Sequence, residues 1–372
     1  MKILFGVQGT GNGHISRARA IGKVLSENSF DVDYIFSGRD PNQYNDMELF
    51  GNYQTKKGLT LFAEQGKINY LKTSFGNDLW GFYRDIRQLQ VKQYDLILSD
   101  FEPISAWAGK LNKVPVIAIG HQNAFEYSVP KEKNHPLFRL IVSIFGWGCH
   151  KLPMHWYHYK KKIIPPIVPQ RNVDLDCYNP RSVLVYAPWE KQEKLIHHFS
   201  LFKDFEFHVF TPEAESLQNN FDNVFVHAIS RTKFLNFMNN SKYVICNAGF
   251  ETLSECIHLG KKILSKPIKG HSEQLSNAKA LKGLGLGMRT TKINEESIQK
   301  FFDYAEDHQG RIIYPDTAAH IVHWIKQANW GDVDTLVSKL WSETQFINVD
   351  FDIEGYEPSV KPLKKIHLKN NL

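Results

Sequence analysis

Val244-Ile245-Cys246-Asn247-Ala248-Gly249-Phe250-Glu251-Thr252-Leu253-Ser254-Glu255-Cys256 is the stretch that decides the fold. An apolar run of strand type ends in a turn of small residues, and a helical pattern starts at once. Such a unit leaves free N–H groups at the helix start. Together with the helix dipole they favour an anion such as a diphosphate. Glu255, one turn inside the helix, sets a carboxylate where it can accept both hydroxyls of a ribose. The chain then runs through Gly260-Lys261-Lys262-Ile263-Leu264-Ser265-Lys266-Pro267 and His271-Ser272-Glu273-Gln274-Leu275-Ser276-Asn277-Ala278 to Gly283-Leu284-Gly285-Leu286-Gly287. Glu273 and Gln274 supply an acceptor and a donor suited to sugar hydroxyls.

The same alternation extends outward on both sides. Strand patterns at 182–187, 205–210, 224–229, 243–246 and 262–265 alternate with helical patterns at 190–202, 233–238, 250–259 and 274–282. Further helices are expected near 295–306 and 317–328. The first third repeats the theme, with strands at 2–7, 32–36, 94–99 and 114–119 and helices at 14–26 and 104–111. Residues 51–73 are polar and irregular, a hairpin or loop excursion. Strands alternating with helices predict an α/β fold of two doubly wound, Rossmann-like halves. Pro165, Pro166 and Pro169 fall within five residues and can continue neither a helix nor a central strand. They place a boundary and hinge near 165–180. The expected organisation is a first domain at 1–165, a second at 166–330, and a C-terminal helix and polar, basic tail at 331–372. The length of 372 residues fits two domains at about 150 residues each.

Two features of the first half carry chemistry. Phe5-Gly6-Val7-Gln8-Gly9-Thr10-Gly11-Asn12-Gly13-His14 is a glycine loop between a strand and a helix. A dinucleotide fingerprint needs a third glycine where His14 stands, and an acidic end to the second strand, which here reads Ser37-Gly38-Arg39. No Gly-Lys-Ser/Thr triplet follows, which excludes a P-loop. What remains is a loop presenting His14 at an interdomain cleft, or a tight turn with a surface histidine. Leu96-Ile97-Leu98-Ser99-Asp100-Phe101-Glu102-Pro103 sets two carboxylates at the end of a parallel strand, where open α/β sheets bind ligands. Positions i and i+2 of a strand share a side, so Asp100 and Glu102 are expected to converge as candidate proton acceptors. The alternative is that one of them caps the helix after Pro103.

Taken as an ordered set, the residues of 244–287 resemble the donor-binding region of GT-B glycosyltransferases. That region reads small-Gly-x-x-Thr-x-x-Glu, then Gly-x-Pro, then Asp/Glu-Gln-x-x-Asn-Ala, then Gly. This chain departs from it at Lys262, where the proline is expected. It is similar to the peptidoglycan-precursor N-acetylglucosaminyltransferase and the UDP-glycosyltransferases. It is also similar to a family of bacterial and archaeal glycosyltransferases that share the glycine-rich start with His14 and the Asp-Phe-Glu-Pro motif. The resemblance covers about 1–330. It implies that Asn247, Ala248, Gly249, Phe250 and Thr252 lie on the donor phosphates, with Gly11, Gly13 and Glu251 also among the donor-binding residues. It implies Glu255 on the ribose, Glu273 and Gln274 on the donor sugar, and Asn277 as a support of that loop. His14 becomes the expected base, with Asp100 and Glu102 as rivals. Ala187-Pro188-Trp189-Glu190 falls where the family has a phosphate-side or base-side loop.

The resemblance implies transfer of a hexosyl group from a nucleotide sugar, first of all a UDP-sugar, to a saccharide or lipid-linked acceptor. Neither a cofactor nor a metal ion is expected. Competing readings are a nucleotide-sugar 2-epimerase-like isomerase or hydrolase on the same fold, and a non-catalytic sugar-nucleotide-binding protein. The composition (42% hydrophobic, 13% aromatic, 23% charged) is that of a globular protein and excludes a disordered or coiled-coil chain. The four cysteines at 149, 177, 246 and 256 lack CxxC spacing, which argues against a cysteine zinc site and for a reducing, cytoplasmic setting. A net charge of +6 suits an anionic ligand or membrane surface and falls short of a dedicated nucleic-acid binder. The Asp-x-Asp spacings at 31/33, 174/176, 332/334 and 350/352 do not follow credible buried strands. Residues 137–162 mix apolar, aromatic and lysine residues. They suggest a peripheral membrane contact on the inner face or a lipid-carrying acceptor, against the alternative of a buried helix. His150, His155 and His158 in this stretch are expected on its surface.

Overall fold

The computed structural model describes residues 1–44, 46–60, 63–64, 67–68, 76–132, 136–170, 178–217, 221–307, 310–349 and 351. Six strands make the first sheet: β1 (Lys2–Gln8), β2 (Asp31–Ser37), β3 (Gln54–Lys56), β4 (Leu96–Asp100), β5 (Val116–Gly120) and β6 (His150–Pro153). Six more make the second: β7 (Asn179–Tyr186), β8 (Glu206–Phe210), β9 (Val224–His227), β10 (Ser241–Cys246), β11 (Lys262–Ser265) and β12 (Met288–Arg289). The orders are β3-β2-β1-β4-β5-β6 and β9-β8-β7-β10-β11-β12, and every neighbouring pair is parallel. Both sheets therefore reverse their winding at their central pair, β1/β4 and β7/β10. Crevices that bind ligands form at the strand ends there.

Helices cover both faces, so the central strands are apolar throughout rather than alternating. Ile3, Phe5, Val7, Leu96, Ile97, Leu98, Val183, Val185, Val244 and Ile245 are fully buried. Each such side chain contributes about 1.5–3 kcal/mol by leaving water. Between the strands lie α1 (Asn12–Glu27), α2 (Leu79–Gln88), α3 (Pro103–Asn112), α4 (Pro136–Phe145), α5 (Gln192–Ser200), α6 (Arg231–Asn240), α7 (Phe250–His258), α8 (Ser272–Gly283) and α9 (Glu295–Asp307). The irregular region after residue 51 holds β3 and two short antiparallel segments, Ala63–Glu64 and Lys67–Ile68. Part of the expected hinge, 171–177, and the tail from 352 onward lie outside the described residues.

The last two helices, α10 (Thr317–Lys326) and α11 (Val333–Ser342), return to the first domain. Helix α10 packs on α1. The Trp341 indole N–H donates to the Ile163 carbonyl at 2.6 Å, and Lys162 pairs with Asp334. These contacts correct the surface reading of His155 and His158, while His150 is half-buried and Lys160 is exposed. His155, Trp156, Tyr157 and His158 are 0%, 0%, 6% and 2% exposed, because they are sandwiched between the domains and the C-terminal helices. The aromatic residues placed there by the sequence make an internal joint, and the lysines flank it at the surface. Among the described residues of 137–162 the exposed positions are Arg139, Leu140 and Ser143 on α4, with Cys149 and Lys160 beyond it.

Candidate active site

The loop after β1 hands the chain to α1 with Gly11 as N-cap and no side chain bonding the first N–H groups. His14, in the first turn, has a side chain 12% exposed. Its Nδ1 lies 2.8 Å from Oδ1 of Asp100, the last residue of β4, although 86 residues separate them. Asp100 is fully buried. Its Oδ2 accepts from Arg17 Nε at 2.7 Å and its Oδ1 from Arg17 Nη2 at 2.6 Å. Burial alone would raise its carboxyl, but Arg17 and His14 outweigh it and hold the group below the usual carboxylate range. His14 Nδ1 also lies 2.9 Å from Arg17 Nη2, so it stands between an acceptor on Asp100 and a donor on Arg17; a ring that gives Nδ1–H to the ionised Asp100 leaves Nε2 as its acceptor nitrogen. The structure thus brings His14 and Asp100, expected as separate candidates, into direct contact.

Glu102 is placed elsewhere, and the expected convergence with Asp100 does not occur. The strand ends at Asp100, and Phe101 takes a left-handed φ of 54°, which breaks the i, i+2 relation. Glu102 becomes the N-cap of α3. It is fully buried, accepts from the backbone N–H groups of Ile104 at 2.9 Å and Ser105 at 2.7 Å, and accepts from Ser37 Oγ at 2.7 Å. Burial pushes its carboxyl up against those bonds. Gly6 makes room for this cap, since a Cβ there would stand 2.9 Å from Glu102 Oε2.

Across the cleft, α7 starts at Gly249 without a side-chain cap, so the N–H groups of its first turn are open. A Cβ on Gly249 would meet nothing within 4 Å. Gly249, Glu251 and Thr252 line the cleft beside Gly11, Gly13 and His14. The other donor-motif residues divide. Phe250 is 4% exposed, stacked on His121 at 3.7 Å and on Trp156 at 5.4 Å, so its ring is an interdomain wedge rather than a phosphate contact. Ala248 is buried, and Asn247 spends its amide N–H on the Lys266 carbonyl at 2.9 Å. Asn277 donates to the Ala248 carbonyl at 3.0 Å and meets His121 Nε2 through Oδ1 at 2.6 Å. Glu273 accepts from Gln122 of the first domain at 3.1 Å, and Gln274 Oε1 accepts from the Ile268 N–H at 3.0 Å. Glu251 accepts from Arg17 Nη1. Burial pushes Glu251 up to about 8 despite Arg17, with Asp100, Glu255 and Glu273 pushing the same way.

Two cavities meet at Glu251. One, of ≈ 520 Å³, has Glu255 and Ile229–Arg231 on the second-domain side and Arg19 and Arg39 on the first-domain side. The other, of ≈ 310 Å³, is bordered by His14, Trp189, Glu273, Gln274, Ile141 and Phe145. Sequence reasoning missed Arg17, His121, Tyr186 and the segment 229–231. Arg17 sits three residues after His14, hence on the same helix face, which was the available signal. Segment 229–231 follows the end of β9, where the switch-point rule directs attention. Among the described residues no group of three or more His, Cys, Asp or Glu is arranged to hold a metal ion.

Two doubly wound domains facing each other across such a cleft are the GT-B architecture of glycosyltransferases. Residues 1–305 match the family model described as glycosyl transferase family 1, and the chain belongs to that family: it is a glycosyltransferase. It is 24% identical over 343 residues to an uncharacterized glycosyltransferase of Methanosarcina acetivorans, covering 80% of this chain and 86% of that one. MurG of Acinetobacter baumannii superposes with a TM-score of 0.54 at 15% identity, covering 88% of this chain and 99% of that one. The spinosyn rhamnosyltransferase SpnG, complexed with thymidine diphosphate, superposes with a TM-score of 0.52 at 12% identity, covering 92% and 96%.

Proposed function

We propose that this glycosyltransferase moves a hexosyl group from a nucleotide sugar, first of all a UDP-sugar, to a hydroxyl of a saccharide or lipid-linked acceptor, without a metal ion. One observation carries the reading. The uncapped N-termini of α1 and α7 open onto one cleft from opposite domains, and His14 stands in its wall. The nucleoside takes the larger cavity, its ribose on Glu255 and its base against 229–231. The diphosphate crosses the junction at the α7 start, and the sugar lies toward Glu273 and Gln274. His14 Nε2 removes the acceptor proton as that oxygen attacks the anomeric carbon and the bond to the diphosphate breaks. The N–H groups of α7 take up the charge growing on the leaving diphosphate. A single displacement of this kind inverts the anomeric centre. A lipid-linked acceptor enters past α4, whose Ile141 and Phe145 line the cleft and whose Arg139 and Leu140 are exposed.

The test is a thermal-shift screen with UDP-, TDP-, GDP- and CMP-sugars, each with and without EDTA. The thymidine diphosphate bound to the rhamnosyltransferase makes TDP-sugars the first rival. A donor at 100 times its dissociation constant stabilises by about 2.7 kcal/mol. A shift from one nucleotide family, indifferent to EDTA and lost in Glu255→Ala, is the expected result. No shift with any nucleotide sugar overturns the donor assignment.

A further inference from the structure

Arg17 is 2% exposed, yet each of its three nitrogens has a partner. Nε and Nη2 hold both oxygens of Asp100, at 2.7 and 2.6 Å. A carboxylate gripped by two parallel N–H bonds cannot turn without breaking both. The Asp100 oxygen bonded to Nη2 is also the one that meets His14 Nδ1. Nη2 also stands 2.9 Å from His14 Nδ1 itself, so Arg17 sets the ring plane of His14 both directly and through Asp100, and an Nδ1–H tautomer is the one in which Asp100 is the hydrogen-bond partner. The third nitrogen, Nη1, reaches the other domain and donates to Glu251 Oε1.

Glu251 is well placed to make that contact depend on closure. It stands in the first turn of α7, at the junction of the two cavities, and its stem packs on Gly13 of the glycine loop. Moving the domains apart withdraws it. Nη1 then loses its buried partner, and a guanidinium released on one side regains rotamers in which the two-point hold on Asp100 is lost.

We propose that Arg17 is the positioning residue of the His14–Asp100 pair, and that Glu251 makes its grip conditional on the domains being docked, so that the base is assembled only in the closed cleft. The part of this that concerns catalysis rests on the reading of His14 as the base. The part that concerns Arg17, Asp100 and His14 stands on the contacts alone.

The experiment has a substrate-free arm and a turnover arm. In protein labelled with 15N-histidine, the His14 Nδ1–H signal is assigned by its loss in His14→Gln. It is expected to exchange slowly with solvent in the wild type, to be lost in Arg17→Lys, and to exchange roughly tenfold faster in Glu251→Ala, the weight of one net hydrogen bond. Arg17→Lys keeps a cation beside Asp100, so the fold survives where Arg17→Ala leaves a buried charge. In turnover, Glu251→Ala is expected to lower kcat roughly tenfold without raising the donor KM. The double variant is expected to be no slower than Arg17→Lys alone, since Glu251 acts through Arg17. Unchanged exchange in both variants overturns the proposal. So do additive losses, or a raised donor KM with kcat kept. A wild type that transfers nothing overturns the base reading alone, and the exchange rates then decide the Arg17 claim by themselves.

Discussion

Gly13 of the first domain and Glu251 of the second stand so close that a Cβ on Gly13 would meet Glu251 Cγ at 2.6 Å and its Cβ at 3.3 Å. The atoms met belong to the stem of the side chain, which cannot swing aside as its carboxylate can. Gly13→Ala therefore pushes the domains apart or drives Glu251 off Arg17. Overpacking of this kind costs about 1–3 kcal/mol, against a gain of up to about 1 kcal/mol from replacing a helical glycine. A lower thermal midpoint and a lower kcat are expected. Gly11→Ala is the control. A Cβ there meets nothing nearer than His14 Cδ2 at 3.9 Å, and its backbone is ordinary extended. If both variants behave alike, the contact with Glu251 is not what requires a glycine at 13.

The raised Glu251 carboxyl gives donor binding a pH dependence of predictable sign. Its folded value near 8 lies above the ordinary 4.5 of a free glutamate. Between those values the folded protein keeps a proton that the unfolded chain has released. The stability this contributes is present below the lower value and is lost as pH rises through the folded value. Above about pH 8 a carboxylate stands beside the proposed diphosphate position and repels it. Donor affinity of the wild type is expected to fall between pH 7 and 9, and that of Glu251→Gln to stay level over the same range. Calorimetric titration at the two pH values reads this directly, and parallel curves for the two proteins refute it.

Asp100 and Glu102, two residues apart in sequence, are expected to fail in opposite ways. Asp100→Asn keeps the shape but weakens the hold on the Nδ1–H tautomer of His14. A loss in kcat within the range of about 10²- to 10⁴-fold is expected, with donor affinity retained. Glu102→Ala strips the cap of α3 and leaves two buried N–H groups unpaired. It is expected to cost about 1–3 kcal/mol of stability, while the turnover of the folded fraction stays near that of the wild type. Specific activity corrected for the folded fraction separates the two. A catalytic loss in Glu102→Ala at full folding would restore it to the site.

This pair also marks how far the sequence could be read. Apolar runs such as Leu96-Ile97-Leu98 and Val244-Ile245-Cys246 announce central parallel strands because both of their faces are buried. The small-residue turn before Glu251 announces an open helix start. Whether the strand carries on past Asp100 depends on the backbone of Phe101, and a phenylalanine gives no sign of a left-handed φ. The edge strands His150–Pro153 and Met288–Arg289 are too short to show a period. The burial of 155–158 is decided by α7 and α11, whose packing against the first domain is a tertiary event. Arg17 was visible as an i, i+3 neighbour of His14, which its Nη2 meets at 2.9 Å, but its two carboxylate partners lie 83 and 234 residues away. The motif located Phe250 correctly in the chain and could not say which way its ring turns.

That ring allows a last prediction. Phe250 supplies a backbone N–H to the open start of α7, while its side chain fills the space between His121, parallel to it within 8°, and Trp156, parallel within 12°. Phe250→Ala removes the wedge and leaves the N–H. A buried Phe→Ala change costs about 3–5 kcal/mol, and here the loss falls on the joint between the domains, since His121 and Trp156 both belong to the first. The variant is expected to melt earlier and to close less tightly. Its donor affinity below the transition is expected to change by less than about tenfold, because the groups facing the diphosphate are retained. Phe250→Leu, which refills most of the volume, is expected to recover much of the stability. The opposite pattern, a protein of wild-type stability that no longer binds donor, would assign the ring to the ligand and place the wedge elsewhere.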